Sequence, residues 1–272
     1  MRSPPAGHSA DGARSSNDGT VVVVLLLAHR GSPAVPASEN TVAAVIAALA
    51  AGADGVEVDL RLSADGVLVL CHDPDLGRLA GRSLPVADTT WEALRMTAAE
   101  HGVGLARVEW LLAAAAGRPV VLELKQPPPA PRARARTVGA LLERLGGLHA
   151  SGLPLAVTVS SFDPALVRMV RLEAPVDLGL RTALLGRPGW RPSALLRQAL
   201  AAGHDEVHPH VLDVLAHPRS VASAHSCGLA VVPWTVNARR AVRRCADLGV
   251  EAVITDVPAA ARRGLRARPA AA

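Results

Sequence analysis

Eight short apolar runs recur along this chain, and helical patterns separate them. The runs are Val21–Ala28, Gly55–Leu62, Pro119–Lys125, Leu155–Phe162, Val176–Leu184, Asp205–His210, Leu229–Val236 and Val250–Asp256. Each is nearly continuous in apolar character, as a strand covered on both faces must be, and that pattern marks parallel rather than antiparallel sheets. Eight strand–helix alternations in 272 residues predict an α/β chain folded as one closed (β/α)8 TIM barrel, which typically needs about 250 residues. The rival, an open doubly wound sheet, would carry a glycine-rich phosphate loop after its first strand. "AHRGSPAVPASENT" has no such fingerprint. One extra run, Gly66–Asp73, follows the second strand across Ala64-Asp65-Gly66, a turn signal that predicts a small inserted hairpin. Asn40 or Thr41 is placed to cap the first helix and Gly52 to stop it.

The barrel domain is expected over residues 21–262. Residues 1–20, polar and rich in Ser, Gly and Asp, are expected to be a disordered leader, and 263–272 a basic tail. The leader lacks the apolar segment of a secretory signal, and Val21–Ala28 is far shorter than the ~20 residues of a membrane span. Three cysteines, odd in number and widely spaced, fit a reducing, cytoplasmic setting. The chain has one Phe, four Trp and no Tyr, too few aromatics for a surface that reads nucleic acid by stacking. The net charge of +5 comes almost wholly from arginine and reads as a solvated surface. Lys125 is the only lysine.

In a barrel of this kind the chemistry sits where the strands end at their carboxyl side. The first strand ends in His29-Arg30, the second carries Glu57 and Asp59, the third carries Glu123 and Lys125, and the hairpin ends in His72-Asp73. Side chains two apart on a strand share a side, so Glu57 pairs with Asp59 and Glu123 with Lys125. Buried carboxylates are costly unless paired or bound to metal. A hard divalent cation, Mg2+ or Ca2+, resolves the repulsion among three of them, and no His/Cys cluster argues for zinc. Arg30 and Lys125 beside such an ion suit a phosphate, and His29 and His72 can move protons near neutral pH. The set reads as metal-assisted hydrolysis of a phosphate ester. Plainer readings are an ion pair of Glu57 and Asp59 with Arg61, an internal Glu123–Lys125 pair, and Glu39 as a helix-start residue orienting Arg30. His208 and His210 end another strand and read as structural rather than as metal ligands.

This arrangement resembles the glycerophosphodiester phosphodiesterase family. The matching pieces are "HRG" at His29–Gly31, "ENT" at Glu39–Thr41, "GADGVEVDL" at Gly52–Leu60, "DG" at Asp65–Gly66, "HD" at His72–Asp73, "LELK" at Leu122–Lys125, "SF" at Ser161–Phe162, "WTVN" at Trp234–Asn237 and "GVEAVITDVP" at Gly249–Pro258. They keep the family's order and cover roughly residues 22–262. The resemblance implies a divalent ion on Glu57, Asp59 and Glu123, proton transfer by His29 and His72, and phosphate held by Arg30 and Lys125. Trp234, at a strand end, reads either as a wall of the substrate's glycerol pocket or as core packing. The implied substrate is a small-molecule glycerophosphodiester, cleaved to glycerol 3-phosphate and an alcohol; we assign His72, on the hairpin, as the acid and His29, beside Arg30, as the base, with the reverse assignment left open. A lysophospholipase-D-like activity and a non-catalytic phosphodiester-binding module are the other readings. The segments Leu76–Ser83 and Leu105–Leu112 depart from the family's usual pattern near the rim of the site, where substrate preference is set.

Overall fold

A computed structural model describes residues 24–32, 38–130 and 132–266. The expected leader, residues 1–20, and the end of the expected tail, 267–272, lie outside these. The chain runs β1 (Leu25–His29), α1 (Val42–Ala50), β2 (Gly55–Leu62), β3 (Leu68–Leu70), α2 (Gly77–Ala80), α3 (Trp91–Glu100), α4 (Val108–Ala115), β4 (Val120–Leu124), α5 (Ala133–Ala150), β5 (Val157–Ser161), α6 (Pro164–Glu173), β6 (Arg181–Leu185), α7 (Pro192–Ala202), β7 (Glu206–His208), α8 (Val211–Ala216), α9 (Arg219–His225), β8 (Ala230–Val231), α10 (Arg239–Asp247), β9 (Ala252–Thr255) and α11 (Pro258–Arg266). Helix α11 therefore carries the chain four residues past Arg262.

The strands pair in the order β8-β7-β6-β5-β4-β2-β1-β9, all parallel, and β3 pairs antiparallel to β2 as the inserted hairpin. Closure between β8 and β9 is made by single hydrogen bonds: Val236 N–H to the Ile254 carbonyl (2.8 Å), Ile254 N–H to Pro233 (2.9 Å) and Glu251 N–H to Val231 (3.3 Å). Pro233, which has no N–H, interrupts the expected run 229–236 and leaves β8 two residues long. The run at 176–184 is likewise shortened. Val176–Leu178 form a 3-10 turn, Gly179 sits at φ +59°, and the strand starts only at Arg181.

Alternation along the strands sorts two cores. Val56, Val58, Leu60, Leu122, Leu124 and Val159 pack outward against Leu111, Leu141 and Leu166 of the surrounding helices. The inner core is small: Leu27, Val121, Val232, Ala252 and Ile254. Two contacts fix the geometry near β1. A Cβ on Gly55 would lie 2.2 Å from the Pro119 carbonyl oxygen, so β2 and β4 approach only because that residue is glycine. Gly31 takes φ +78°, and its Cβ would lie 2.8 Å from that of Ala44, so α1 seats directly on the turn after β1. The Thr41 hydroxyl caps α1, accepting from Ala44 N–H at 3.1 Å. The hairpin and α2–α3 carry a separate small core of Val69, Cys71, Leu76, Val86, Trp91 and Leu94.

Candidate active site

The strand register lines up the polar residues at the carboxyl ends. His29 is opposite Glu57, Asp59 opposite Glu123, and Glu123 opposite Ser160. Because Val56, Val58 and Leu122 face the helices, Glu57, Asp59 and Glu123 must face the barrel interior. All three are buried, and one oxygen of each lies within 4.8 Å of the others.

Two cations meet these three carboxylates. Lys125 Nζ lies 2.7 Å from Asp59 Oδ1 and 2.5 Å from Glu123 Oε1. Arg30 Nε lies 3.2 Å from Asp59 Oδ2, and the Arg30 backbone N–H donates to Glu57 Oε2 at 3.2 Å. That donor is aimed by an unusual backbone. Arg30 takes φ +51°, a left-handed conformation that costs a non-glycine residue about 1–2 kcal/mol. Asn40 completes the shell of Asp59, donating from Nδ2 to Oδ2 (2.8 Å) and accepting the Asp59 N–H on Oδ1 (3.0 Å).

The electrostatics follow from three negative charges against two positive ones. Burial and the charge of Asp59 push the Glu57 carboxyl up to about 8. Burial also raises Asp59, yet Lys125 and Arg30 more than offset it and hold that group at about 2. Glu123 is raised by burial, with Lys125 opposing. Glu57 is thus the member for which His29 and Lys125 do not offset burial and the charge of Asp59. An oxygen-only donor set short of one positive charge is chemically what a hard divalent cation fits.

Both histidines are held by a carboxylate at Nδ1. His29 Nδ1 donates to Asp256 Oδ1 at 2.6 Å, and His72 Nδ1 to Asp73 Oδ1 at 2.8 Å. A carboxylate can only accept, so in each ring Nδ1 carries the proton and Nε2 is left for chemistry. His29 Nε2 lies 3.9 Å from Glu57 Oε2. Burial disfavours the charged form of His29, but the bond to Asp256 and the charge of Glu57 outweigh it and raise its pKa. Burial and the Lys125 charge lower that of His72.

A network sets these groups in place. Asn237 Nδ2 donates to Asp256 Oδ2 at 2.6 Å, while its Oδ1 accepts the Asp256 N–H at 2.9 Å. Arg78 bridges Asp73 (Nε, 2.5 Å) and Glu39 (Nη2, 2.5 Å), and Glu39 in turn receives Arg30 Nη1 at 3.3 Å. Glu39 therefore holds Arg30 in place. Arg61 makes no ion pair with Glu57 or Asp59. It donates from Nε and Nη2 to the His72 carbonyl at 3.0 and 2.8 Å. The Glu123–Lys125 pair exists, but within the cluster rather than apart from it.

Over the carboxylates opens a cavity of about 150 Å³ whose lining includes His29, Arg30, His72, Lys125, Phe162 and Trp234. Phe162 and Trp234 meet edge to face at 5.3 Å, and Trp234 is fixed by its Nε1–H to the His208 carbonyl at 3.0 Å. All eight residues singled out from the sequence thus converge at one end of the barrel. Arg78, Asn237 and Asp256 escaped that reading. Asn237 and Asp256 lay inside quoted motifs at strand ends, which was the available signal. Arg78 sits in the segment that departs from the family pattern and carried none. His208 is turned away from this cluster: its Nε2 binds Glu206 Oε2 at 2.8 Å.

The model of the Glycerophosphoryl diester phosphodiesterase family matches residues 29–260. A glycerophosphodiester phosphodiesterase of Caldanaerobacter subterraneus subsp. tengcongensis is 30% identical over 248 residues, covering 86% of this chain and 94% of that protein. One from Bacillus altitudinis is 28% identical over 244 residues, covering 86% and 94%. Among solved structures, a glycerophosphodiester phosphodiesterase of Thermotoga maritima superposes with a TM-score of 0.71 at 24% identity, covering 89% of this chain and 98% of that one. An Oleispira antarctica phosphodiesterase, solved in complex with the product sn-glycerol-3-phosphate, gives 0.72 at 23% identity, covering 89% and 97%. At those identities the two structures speak to the fold.

Proposed function

The chain belongs to the glycerophosphoryl diester phosphodiesterase family, and from that premise we propose that it hydrolyses glycerophosphodiesters to glycerol 3-phosphate and an alcohol with a divalent ion. The observation that carries this reading is the buried trio Glu57, Asp59 and Glu123, one charge short of balance, beneath a small cavity that also exposes two histidines. Glu57, Asp59 and Glu123 would hold the ion, and an oxygen-only set favours Mg2+ or Ca2+. When bound, the ion supplies Lewis-acid stabilisation of charge on the phosphoryl oxygens.

The remaining work falls to the chain's own groups. Arg30 and Lys125 face the cavity and hold the phosphate by charge-assisted hydrogen bonds. Trp234 and Phe162 wall the side that takes the glycerol arm. His29, oriented by Asp256, accepts the proton of the attacking oxygen at Nε2. His72, oriented by Asp73, acts in its doubly protonated form and delivers the Nε2 proton to the leaving alkoxide. In the ion-free protein burial opposes the charged form of His29, but the Asp256 hydrogen bond and Glu57 outweigh it and raise its pKa, while burial and Lys125 lower that of His72. A cytoplasmic setting is supported by three free cysteines, two of them buried, and among the described residues no helix is long and apolar enough to cross a membrane.

The test is release of glycerol 3-phosphate from a panel of glycerophosphodiesters, with lysophosphatidylcholine alongside, in chelator and after adding Mg2+ or Ca2+. Turnover should vanish in chelator and return with the ion, and the water-soluble diesters should be cleaved faster than the lysolipid. Full activity of the metal-stripped protein would sink the reading.

A further inference from the structure

A phosphodiester has two arms, and the cavity over the carboxylates accounts for one. At about 150 Å³ it suits the three-carbon glycerol arm beside Phe162 and Trp234. A second, larger hollow of about 580 Å³ shares one lining residue, Lys125, with the first. Its walls are Arg61, Pro74 and Asp88 on the hairpin side and Gln126, the three prolines 127–129 and Arg136 on the side of the β4–α5 loop and α5.

We infer that this groove is the subsite for the leaving alcohol, and that it selects an uncharged, polyhydroxylated headgroup over a quaternary ammonium one. The inference rests on the phosphodiesterase reading above and assigns what that reading leaves open. Position is the first argument. His72 faces the small cavity, its own carbonyl is held by Arg61 at 2.8 Å, and Arg61 lines the groove. A substrate whose phosphate sits at Lys125 and whose leaving oxygen sits at His72 must send its alcohol to that side.

Shape is the second. Pro127, Pro128 and Pro129 have fixed φ, and Arg61 ties the two rims together through the His72 and Gln126 carbonyls (Nη1 to Gln126 at 3.4 Å). The groove is therefore formed before a ligand arrives, which lowers the ordering cost of binding. Its volume lies in the range of small-molecule pockets, ~300–1,000 Å³.

Chemistry is the third. Two guanidinium groups, Arg61 and Arg136, face one carboxylate, Asp88. Arg136 spends a single donor on the Ala64 carbonyl at 3.2 Å, which leaves most of its fork for hydroxyl acceptors. Among the described residues no aromatic side chain lines the groove, and a trimethylammonium group is recognised by aromatic faces. Hydroxyl-rich alcohols of the glycerol or inositol type satisfy the donors, while choline meets a surplus of positive charge.

The experiment compares kcat/KM on glycerophosphoinositol, glycerophosphoglycerol, glycerophosphocholine and the methyl diester of glycerol 3-phosphate, with metal supplied. The polyol substrates should exceed the choline one by about two- to fivefold, the size of a partly exposed charge effect. Arg136→Glu should cut the inositol-to-choline ratio by about tenfold. Ala133→Trp, which narrows the groove, should lower the inositol-to-methyl ratio, and Arg136→Ala should lower the inositol-to-choline ratio by a smaller amount with less risk to folding. Turnover with all ratios unchanged in the three variants would overturn the groove assignment and leave the phosphodiesterase reading intact. Absence of turnover on every diester, methyl included, would overturn both.

Discussion

The barrel interior holds buried carboxylates at both of its ends, and the two ends solve the same problem in opposite ways. At the carboxyl ends of β1, β2 and β4, Glu57, Asp59 and Glu123 share two cations, and Glu57 is driven up to about 8 by burial and by Asp59. At the amino ends of β5, β6 and β7, Glu206 is alone among three partners. It accepts from Thr158 Oγ1 at 3.1 Å, Arg181 Nε at 2.6 Å and His208 Nε2 at 2.8 Å. Burial disfavours its charge there too, but His208 and Arg181 prevail and hold it at about 2. Equal burial thus gives shifts of opposite sign, decided by whether the local charges close. A closed set stabilises the fold. An open one is a place where the protein keeps a charge deficit, and deficits of that kind gather at functional sites.

The largest contrast should appear on removing one carboxylate from each end. Glu57→Gln and Glu123→Gln should each lower kcat/KM by about 10³-fold or more, given the several kcal/mol a metal contributes, and should weaken divalent-ion binding measured by calorimetry. The Tm of Glu57→Gln in chelator should hold or rise, because a repulsion is gone, whereas Glu123→Gln also gives up its ion pair with Lys125. Glu206→Gln should keep its activity and lose about 2 kcal/mol of stability, as its three donors lose an anionic acceptor. Loss of activity in Glu206→Gln without loss of stability would break the contrast.

The histidines extend the comparison. An alkoxide leaves poorly, so His72→Ala should lose about 10²–10⁴-fold on glycerophosphocholine and much less on a nitrophenyl phosphodiester, whose leaving group needs no proton. His29→Ala should be crippled on both. His208→Ala, at the closed end, should leave both rates alone and cost about 2 kcal/mol in denaturant unfolding. A pattern reversed between His29 and His72 would exchange base and acid.

The cations should differ more modestly. Lys125 Nζ touches Asp59 and Glu123 together, as a compact ammonium can and a planar fork cannot. Lys125→Arg should therefore slow turnover by about tenfold, or about 1.4 kcal/mol in the transition state. Arg181 is half exposed, and Arg181→Lys should change stability by about 0.5 kcal/mol or less. Equal kcat for Lys125→Arg and the parent would remove the special geometry of the lysine.

The smallest effect, and the sharpest in sign, is the pH dependence of stability in chelator. Glu57 has a folded-state pKa above its ordinary 4.5, so folding favours its protonated form. Its contribution is greatest below 4.5 and declines as pH rises toward about 8. Glu206 has a folded-state pKa below its ordinary 4.5. Its contribution is full above 4.5 and is lost as pH falls toward about 2. Tm measured from pH 3 to about 9 should show an acid limb that Glu206→Gln flattens and an alkaline decline that Glu57→Gln flattens. Added Mg2+ or Ca2+ should raise Tm more at alkaline than at acid pH, since binding must displace the Glu57 proton at low pH.

Much of this was legible before any coordinates. Val56, Val58 and Leu60 alternating with Glu57 and Asp59 fix which side of β2 is polar, and nothing but a cation or an ion pair makes two interior carboxylates tolerable. The same holds for Glu123 and Lys125 on β4. Parallel β/α alternation then forces those strand ends to one face of a closed sheet. A cap for α1 at Asn40 or Thr41 is a local consequence of residue type, and the structure selects Thr41; the seat of α1 on Gly31 comes from the fold.

What the order of residues could not decide is who stands beside whom across the closed sheet. Asp256 reaches His29 over 227 positions, and Arg78 reaches Glu39 over 39; neither spacing has a period. Glu206 and Glu57 are both acidic residues within apolar runs, and only the partners delivered by β5 and β6 make Glu206 part of a closed set. Sequence sets the side a residue faces, because the pleat repeats every two positions. The sign of its pKa shift, and so its role, belongs to the tertiary structure, because it depends on charges brought within a few ångströms from distant parts of the chain.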